Sequence, residues 1–218
     1  MVRAFRNPPI VGSPIRLAVC VSGAGTTLQS LIDWIGERRL KAEIVVVVAS
    51  RPRIGAIARA EAAGIPLALA RRGRRSNGEF SDSVFGPIRG ARADLVVLAG
   101  FLSLLTIPDD YRGRVLNVHP SLIPAFCGKG YYGAKVHQAV LDSGVKVSGC
   151  TIHFVDDAYD SGPIILQRVV DVKDDDRIES LAARVFKAEC KALAEAIALY
   201  ADGRLEIQGR RVRIAPRG

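Results

Sequence analysis

In VLNVHPSLIPAF, Val115 to Phe126, an apolar run is interrupted by Asn117 and His119 and closed by Pro120; only three histidines occur in the 218 residues. If the run is a strand, alternation points Asn117 and His119 to the same side. An amide and an imidazole side by side can stabilise an oxyanion and move a proton. A structural histidine whose ring is capped by a carbonyl is the other reading of the same residues. A second stretch, TIHFVDDAYDSGP (Thr151 to Pro163), ends an apolar run in Asp156, Asp157 and Asp160. A carboxylate brought beside His119 would favour imidazolium and raise its pKa, whereas three acids at a turn also suit a solvated hairpin. His153 alternates with Ile152 and Phe154, and His137 falls in a helical stretch; both read as structural.

The third chemical feature is SGAGTT, Ser22 to Thr27, between an apolar run and a helical pattern. Such a turn offers backbone N–H groups and a positive dipole end to an anion, and glycines let the backbone approach it closely. No Lys-Ser/Thr pair follows, so it is not a P-loop, and Leu28 stands where a dinucleotide fingerprint needs its third glycine. A single phosphate suits it better than a nicotinamide dinucleotide, and an ordinary tight strand–helix turn is the alternative. Cys127, in CGKGYYG, has no acid–base partner implied by local spacing, which argues against covalent catalysis. Lys129, flanked by glycines, is a charge that could meet a phosphate or nothing.

The elements that must position these residues follow a βαβαβ rhythm. LAVCV, EIVVVVAS, IPLALA, DLVVLAG and VLNVH are strand-like runs. Between them, the Thr26 segment and IGAIARAEAAG are helical, the latter stopped by Gly64, and NGEFSDSVFGPIRGARA is a poorer helix with Gly86 and Pro87 inside it. Continuous apolar strands argue a parallel sheet covered on both faces. The later half adds a short helix in GAKVHQAVLDSG, two strand-like runs suiting an antiparallel pair, a long amphipathic helix from Arg177, and two short β runs in LEIQGRRVRI. The expectation is an α/β, Rossmann-like open twisted sheet, mostly parallel with antiparallel strands in the C-terminal half. We expect a flexible leader over 1–14, one domain over 15–204 and a basic β tail over 205–218.

Composition sets the class. Hydrophobic residues make up 49% and charged ones 24%, the balance of a globular protein. No apolar run reaches the roughly 18–20 residues of a membrane span, and MVRAFRNPPIVGSP lacks a signal-peptide core. Four scattered cysteines without a CxxC suit reduced thiols in a cytoplasm and no metal. The net charge of +9 gathers in RRGRR (Arg71 to Arg75) and near the C-terminus. No RNP-type aromatic motif or zinc-finger spacing accompanies it, so attraction of small anionic substrates, or simply a basic proteome, is favoured over nucleic acid.

In this order and spacing, VSGAGTTLQSLID, DLVVLAGF, LNVHPSLIPAF, HFVDDAYDSGPIILQ and ADGRL resemble the folate-dependent formyltransferases. The Gly-x-Gly-Thr-Thr-Leu-Gln start narrows the resemblance to their phosphoribosylglycinamide branch. It covers about Leu17 to Arg204 and implies the formyltransferase fold, with a formyl group passing from N10-formyltetrahydrofolate to the amine of 5′-phosphoribosylglycinamide. By similarity, Asn117 would bind the formyl oxygen, protonated His119 would stabilise the oxyanion and donate a proton, and Asp160 would hold His119. Gly23, Gly25, Thr26 and Thr27 would take the phosphate, and Glu189 the ribose or glycine end. The folate would lie along Asn77, Leu102, Ser103, Leu104 and Leu105 and against Asn117, Val155, Asp156 and Asp157, with no metal. The family often has Asn at the position of Thr27, Arg at that of Ser103 and a basic residue at that of Asn77. RRGRR or Lys129 is therefore expected to supply charge toward the folate. A formyltetrahydrofolate hydrolase shares the Asn/His/Asp trio, and a nucleotide or nucleic-acid binder on a Rossmann-like sheet is the reading from a different class. A monomer or homodimer in the cytoplasm completes the expectation.

Overall fold

The computed structural model describes residues 5–216. It divides into two compact units, Ile10–Leu116 and a second that runs from Asn117 onward and takes in the N-terminal strand. The border falls inside one strand, β6 (Val115–His119).

The first unit is built on four parallel strands in the order β5-β2-β3-β4, namely β2 (Ile15–Val21), β3 (Ala42–Ala49), β4 (Leu67–Leu69) and β5 (Leu95–Leu98). Leu17 to Val21 and Leu95 to Val97 are wholly buried, the state of strands covered on both faces. β4 is shorter and leaves Leu67 and Leu69 exposed. The helices are α1 (Thr26–Gly36), α2 (Gly55–Ala62) and α3 (Asn77–Gly90). Despite Gly86 and Pro87, α3 is continuous. An interior proline costs about 3 kcal/mol or more. Burial of Phe80, Val84, Phe85 and Ile88, at roughly 1.5–3 kcal/mol for each large side chain, exceeds that cost. The reciprocal capping box of Ser76 and Glu79 satisfies backbone donors at its start.

The second unit is largely antiparallel. β7 (Val147–Phe154) pairs antiparallel with β8 (Ile164–Asp171), as the two apolar runs suggest. β9 (Leu205–Gln208) and β10 (Arg211–Ile214) form a hairpin whose second strand pairs parallel with β8. β1 (Phe5–Arg6) pairs antiparallel with β9. Of the expected leader, Met1 to Ala4 lie outside the described residues, and Arg6 donates through Nε to the Gly203 carbonyl at 2.7 Å. The pairing of β1 with β9 is made by backbone groups, which apolar patterning does not register. α4 (Ala134–Asp142) and α5 (Ile178–Ala201) complete the unit. α5 buries Leu181, Val185, Leu193 and Ile197 and packs on β7, β8 and α4. Among the described residues, no helix is long and apolar enough to cross a membrane.

Candidate active site

The polar break in VLNVH lies at the C-terminal end of β6, where Asn117 is half-buried and His119 buried. Asn117 Nδ2 is 3.2 Å from Asp160 Oδ1 and 3.1 Å from His153 Nε2. His119 Nδ1 faces Asp160 Oδ2 at 3.5 Å, and its Nε2 is 2.9 Å from the Phe126 carbonyl. A carbonyl only accepts, so Nε2 carries the proton of the neutral ring. Nδ1 then turns a lone pair toward a carboxylate, and gaining a proton there converts an unfavourable contact into an ion pair.

Two turns hold this cluster. After Pro120 the chain folds back, with Ser121 Oγ donating to the Ala125 carbonyl at 2.6 Å and the Ile123 N–H donating to Thr151 Oγ1 at 3.1 Å. Phe126 has φ +52°, and two residues on, the Gly128 N–H donates to Asp160 Oδ2 at 2.8 Å. One short turn thus holds both partners of the pair: the Phe126 carbonyl takes His119, and the Gly128 amide takes Asp160. The second turn carries Asp160, itself at φ +52°. There a Cβ on Gly162 would fall 1.8 Å from the Phe154 carbonyl oxygen, so only glycine closes it. Asp156 builds the same turn, accepting at Oδ1 from Ser161 Oγ at 2.6 Å and the Ala158 N–H at 3.1 Å.

Asp160 pushes the His119 pKa up, as expected, but the net shift runs the other way. Burial pulls His119 down most strongly; Asp160 and the Phe126 carbonyl oppose it without prevailing, so the ring sits below its ordinary value. The free cluster therefore holds a neutral imidazole at neutral pH rather than a standing proton donor. Burial pushes Asp160 up, but His153, His119 and the Gly128 N–H outweigh it and keep the carboxyl below the usual range. The arrangement can take up a proton at His119 and hold the resulting imidazolium against a carboxylate. Burial also pushes the Cys127 thiol up, which leaves it a poor nucleophile.

His153 is buried, as its alternation with Ile152 and Phe154 suggests, and it also contacts the cluster, while Gly128 joins it with no sign in the sequence. His153 Nδ1 is 2.8 Å from the Phe154 carbonyl, and its Nε2 lies 3.7 Å from Asp160 Oδ1. The signal was available, since His153 breaks the apolar run CTIHF as His119 breaks VLNVH. His137 is buried on α4, and its Nδ1 has no hydrogen-bond partner among the described residues. Glu189, on α5, is half-buried, and burial pushes its carboxyl up to about 7.

The glycine loop belongs to the first unit. Gly25 is the N-cap of α1 at φ +76° and has no side chain to cap the helix. The N–H groups of the first turn, at Thr26 and Thr27, therefore meet no capping side chain and suit an anion. A Cβ on Gly25 would lie 2.7 Å from Ala56. The loop is tied to α2, with the Ala56 N–H donating to the Gly23 carbonyl at 3.2 Å and Arg59 Nε to the Ala24 carbonyl at 3.0 Å.

Along the expected folate segment, the Leu102 N–H donates to Ser22 Oγ at 3.1 Å, and the Leu105 side chain is buried, leaving only its backbone for a ligand. Ser103, Leu104 and Val155 are half-buried and Asp157 exposed. Both ends of the Asn77 amide are engaged, Oδ1 by Arg72 Nη1 at 2.8 Å and Nδ2 on Thr106 Oγ1 at 2.7 Å. Among the described residues, no group of three or more His, Cys, Asp or Glu is placed to hold a metal ion.

Comparison with known proteins places the chain. The chain is 39% identical to glycinamide ribonucleotide transformylase 1 from Symbiobacterium toebii, with a TM-score of 0.87 over 94% of this chain and 96% of that one. The α/β fold expected from the strand and helix pattern is that of this solved structure. The chain is also 33% identical to the phosphoribosylglycinamide formyltransferase of Haemophilus influenzae, over 88% of this chain and 90% of that protein. It is 38% identical to the trifunctional purine biosynthetic protein adenosine-3 of Gallus gallus over 88% of this chain, and spans 19% of that longer relative. Residues 15–197 match the family model described as formyl transferase, and the chain belongs to the formyl transferase family.

Proposed function

We propose that the chain transfers a formyl group from N10-formyltetrahydrofolate to the amine of 5′-phosphoribosylglycinamide, giving formylglycinamide ribonucleotide for purine biosynthesis. The observation that carries this reading is the Asn117, His119 and Asp160 cluster, with His119 Nδ1 turned to the carboxylate at 3.5 Å. The amine lone pair attacks the formyl carbon, and the carbonyl electrons move onto oxygen. Asn117 gives up or shares one of its two internal contacts to donate to that oxyanion. His119, neutral beforehand, takes up the proton lost by the amine, and Asp160 stabilises the imidazolium. The proton returns to N10 of the folate as the carbon–N10 bond breaks.

The phosphate is assigned to the backbone of Gly23, Gly25, Thr26 and Thr27, and the ribose or glycine end to Glu189. Leu102 to Leu105, Val155 and Asp157 are assigned to the folate. A cytoplasmic location and a monomer or homodimer go with this reading. The test is an absorbance assay of folate deformylation with and without phosphoribosylglycinamide. Turnover that needs the amine acceptor is expected; turnover without it overturns the transferase reading in favour of hydrolysis.

A further inference from the structure

In the first unit the chain moves outward from β2 through β3 to β4, then returns to β5 on the other flank of β2. Strand order therefore reverses between β2 and β5, and open α/β sheets take ligands outside the carboxyl ends of the strands at such a point. There the two strands part. β2 runs into the glycine loop, and β5 turns at Gly100, φ +70°, into the segment Leu102 to Leu105. Their backbone pairing ends with the Ala99 N–H donating to the Cys20 carbonyl at 2.9 Å. Beyond it, the Leu102 N–H reaches across to Ser22 Oγ at 3.1 Å. Among the described residues, no other hydrogen bond joins 22–27 to 101–105.

Ser22 is buried, and its Oγ lies 2.6 Å from Oγ of Ser50, which is also buried and follows β3. The Ser50 N–H in turn donates to the Val21 carbonyl at 3.0 Å. A hydroxyl has one hydrogen and two lone pairs, so Ser22 has room for both neighbours: it exchanges one hydrogen with Ser50 and accepts another from Leu102. The Ser22 hydroxyl is thus held from β3 on one flank while it holds the chain leaving β5 on the other. The glycine loop and the segment after Gly100 both lack regular structure. A ligand that orders one of them lowers the cost of ordering the other when a bond carries the restraint across. We propose that Ser22 is a positioning residue that couples these two segments: phosphoribosylglycinamide in the glycine loop tightens binding of the folate along Leu102 to Leu105, and the folate tightens phosphoribosylglycinamide by the same factor. This rests on the formyl-transfer reading and on the segments it assigns to the two substrates.

Calorimetric titration with phosphoribosylglycinamide, alone and with saturating tetrahydrofolate, reads the coupling without turnover. For wild type we expect tetrahydrofolate to lower the Kd of phosphoribosylglycinamide about tenfold, within the usual range of coupling between sites. In Ser22→Ala the ratio should fall to about twofold or less, because the bond that carries it is gone. Ser50→Ala breaks the same hydroxyl pair but leaves the Leu102 N–H its acceptor, and should keep most of the coupling. A merely structural role would lower Tm in both variants and change the ratio in neither. A second measurement needs only the wild-type chain: phosphoribosylglycinamide by itself should slow hydrogen exchange at the Leu102 amide. Equal Kd values in wild type with and without tetrahydrofolate, a coupling that survives in Ser22→Ala, an equal loss in Ser50→Ala, or unchanged exchange at Leu102 overturns the role of Ser22. Formyl transfer by the same wild-type sample leaves the transferase reading standing in each of those cases. A wild-type chain that binds neither compound and transfers no formyl group overturns the transferase reading, and the coupling with it.

Discussion

The glycine loop of the first unit and the histidine cluster of the second offer a ligand different parts of the chain. Around Gly25 the donors are backbone N–H groups at the start of α1, and the side chains matter mainly by being absent. Around His119 the groups are side chains, and the backbone serves them: the Phe126 carbonyl and the Gly128 N–H fix the ring and the carboxylate at 2.9 and 2.8 Å. A backbone site should tolerate most changes of side chain and fail when one is added. A side-chain site should fail when its members are removed and should respond to pH. The two regions can be set against each other on that basis.

The largest effects are expected in the cluster. If His119 carries the proton as proposed, His119→Ala should lower kcat by roughly 10²–10⁴. Asn117→Ala should lower it by about 10²–10³, the usual loss of one oxyanion donor. Circular dichroism should show both variants folded. Wild-type turnover in either removes the side-chain half of the contrast.

Next comes Gly25→Ala, which adds one methyl group to the loop. Its Cβ would sit 2.7 Å from Ala56 on a backbone at φ +76°, so about 1–3 kcal/mol of stability should be lost. If the loop holds the phosphate, KM for the phosphorylated acceptor should rise by about tenfold or more, with kcat changing less. A fall in kcat at constant KM would instead tie the loop to the chemistry.

A pH series separates the regions again, because the loop carries no group that titrates near neutrality. His119 sits below its ordinary pKa, mainly through burial. Its contribution to stability is present above the unfolded value of about 6.5 and is lost as pH falls through the depressed folded value. Glu189 behaves oppositely. With its carboxyl pushed up to about 7 by burial, its contribution is full below the unfolded value of about 4.3 and disappears as pH rises through about 7. Glu189→Gln should therefore gain in Tm relative to wild type between pH 5 and 8. Parallel Tm curves would refute the raised carboxyl pKa.

These differences also explain what the sequence discloses. Buried parallel strands appear as unbroken apolar runs, and β2, β3 and β5 are visible for that reason. Asn117 and His119 stand out because they interrupt such a run. His153 interrupts one too, yet alternation with Ile152 and Phe154 makes it look like an inner residue. Its meeting with Asn117 and Asp160 depends on how β6 and the Asp160 turn fold. Gly128 carries no local sign at all, because its contribution is a backbone N–H aimed at a residue 32 positions away. The net sign of the His119 shift was equally hidden. A neighbouring carboxylate can be read from sequence, but the degree of burial that outweighs it cannot. The pairing of β1 with β9 is also a matter of backbone, and apolar patterning passes over it.

The smallest effect expected is the one that tests the backbone site most sharply. Thr27 lies half-buried in the first turn of α1, where the resemblance often has Asn. If its side chain grips the phosphate, Thr27→Val removes a hydroxyl donor and should cost about tenfold in KM, as the loss of a hydrogen bond to a charged group does. If the grip belongs to the backbone, the substitution leaves the N–H in place and the helix dipole unaltered. KM should then change on the order of twofold or less, and Thr27→Asn should behave the same way. A small effect at Thr27 together with a large one at Gly25 is the signature of a site made of peptide groups, because in such a site an added Cβ does more harm than a lost hydroxyl.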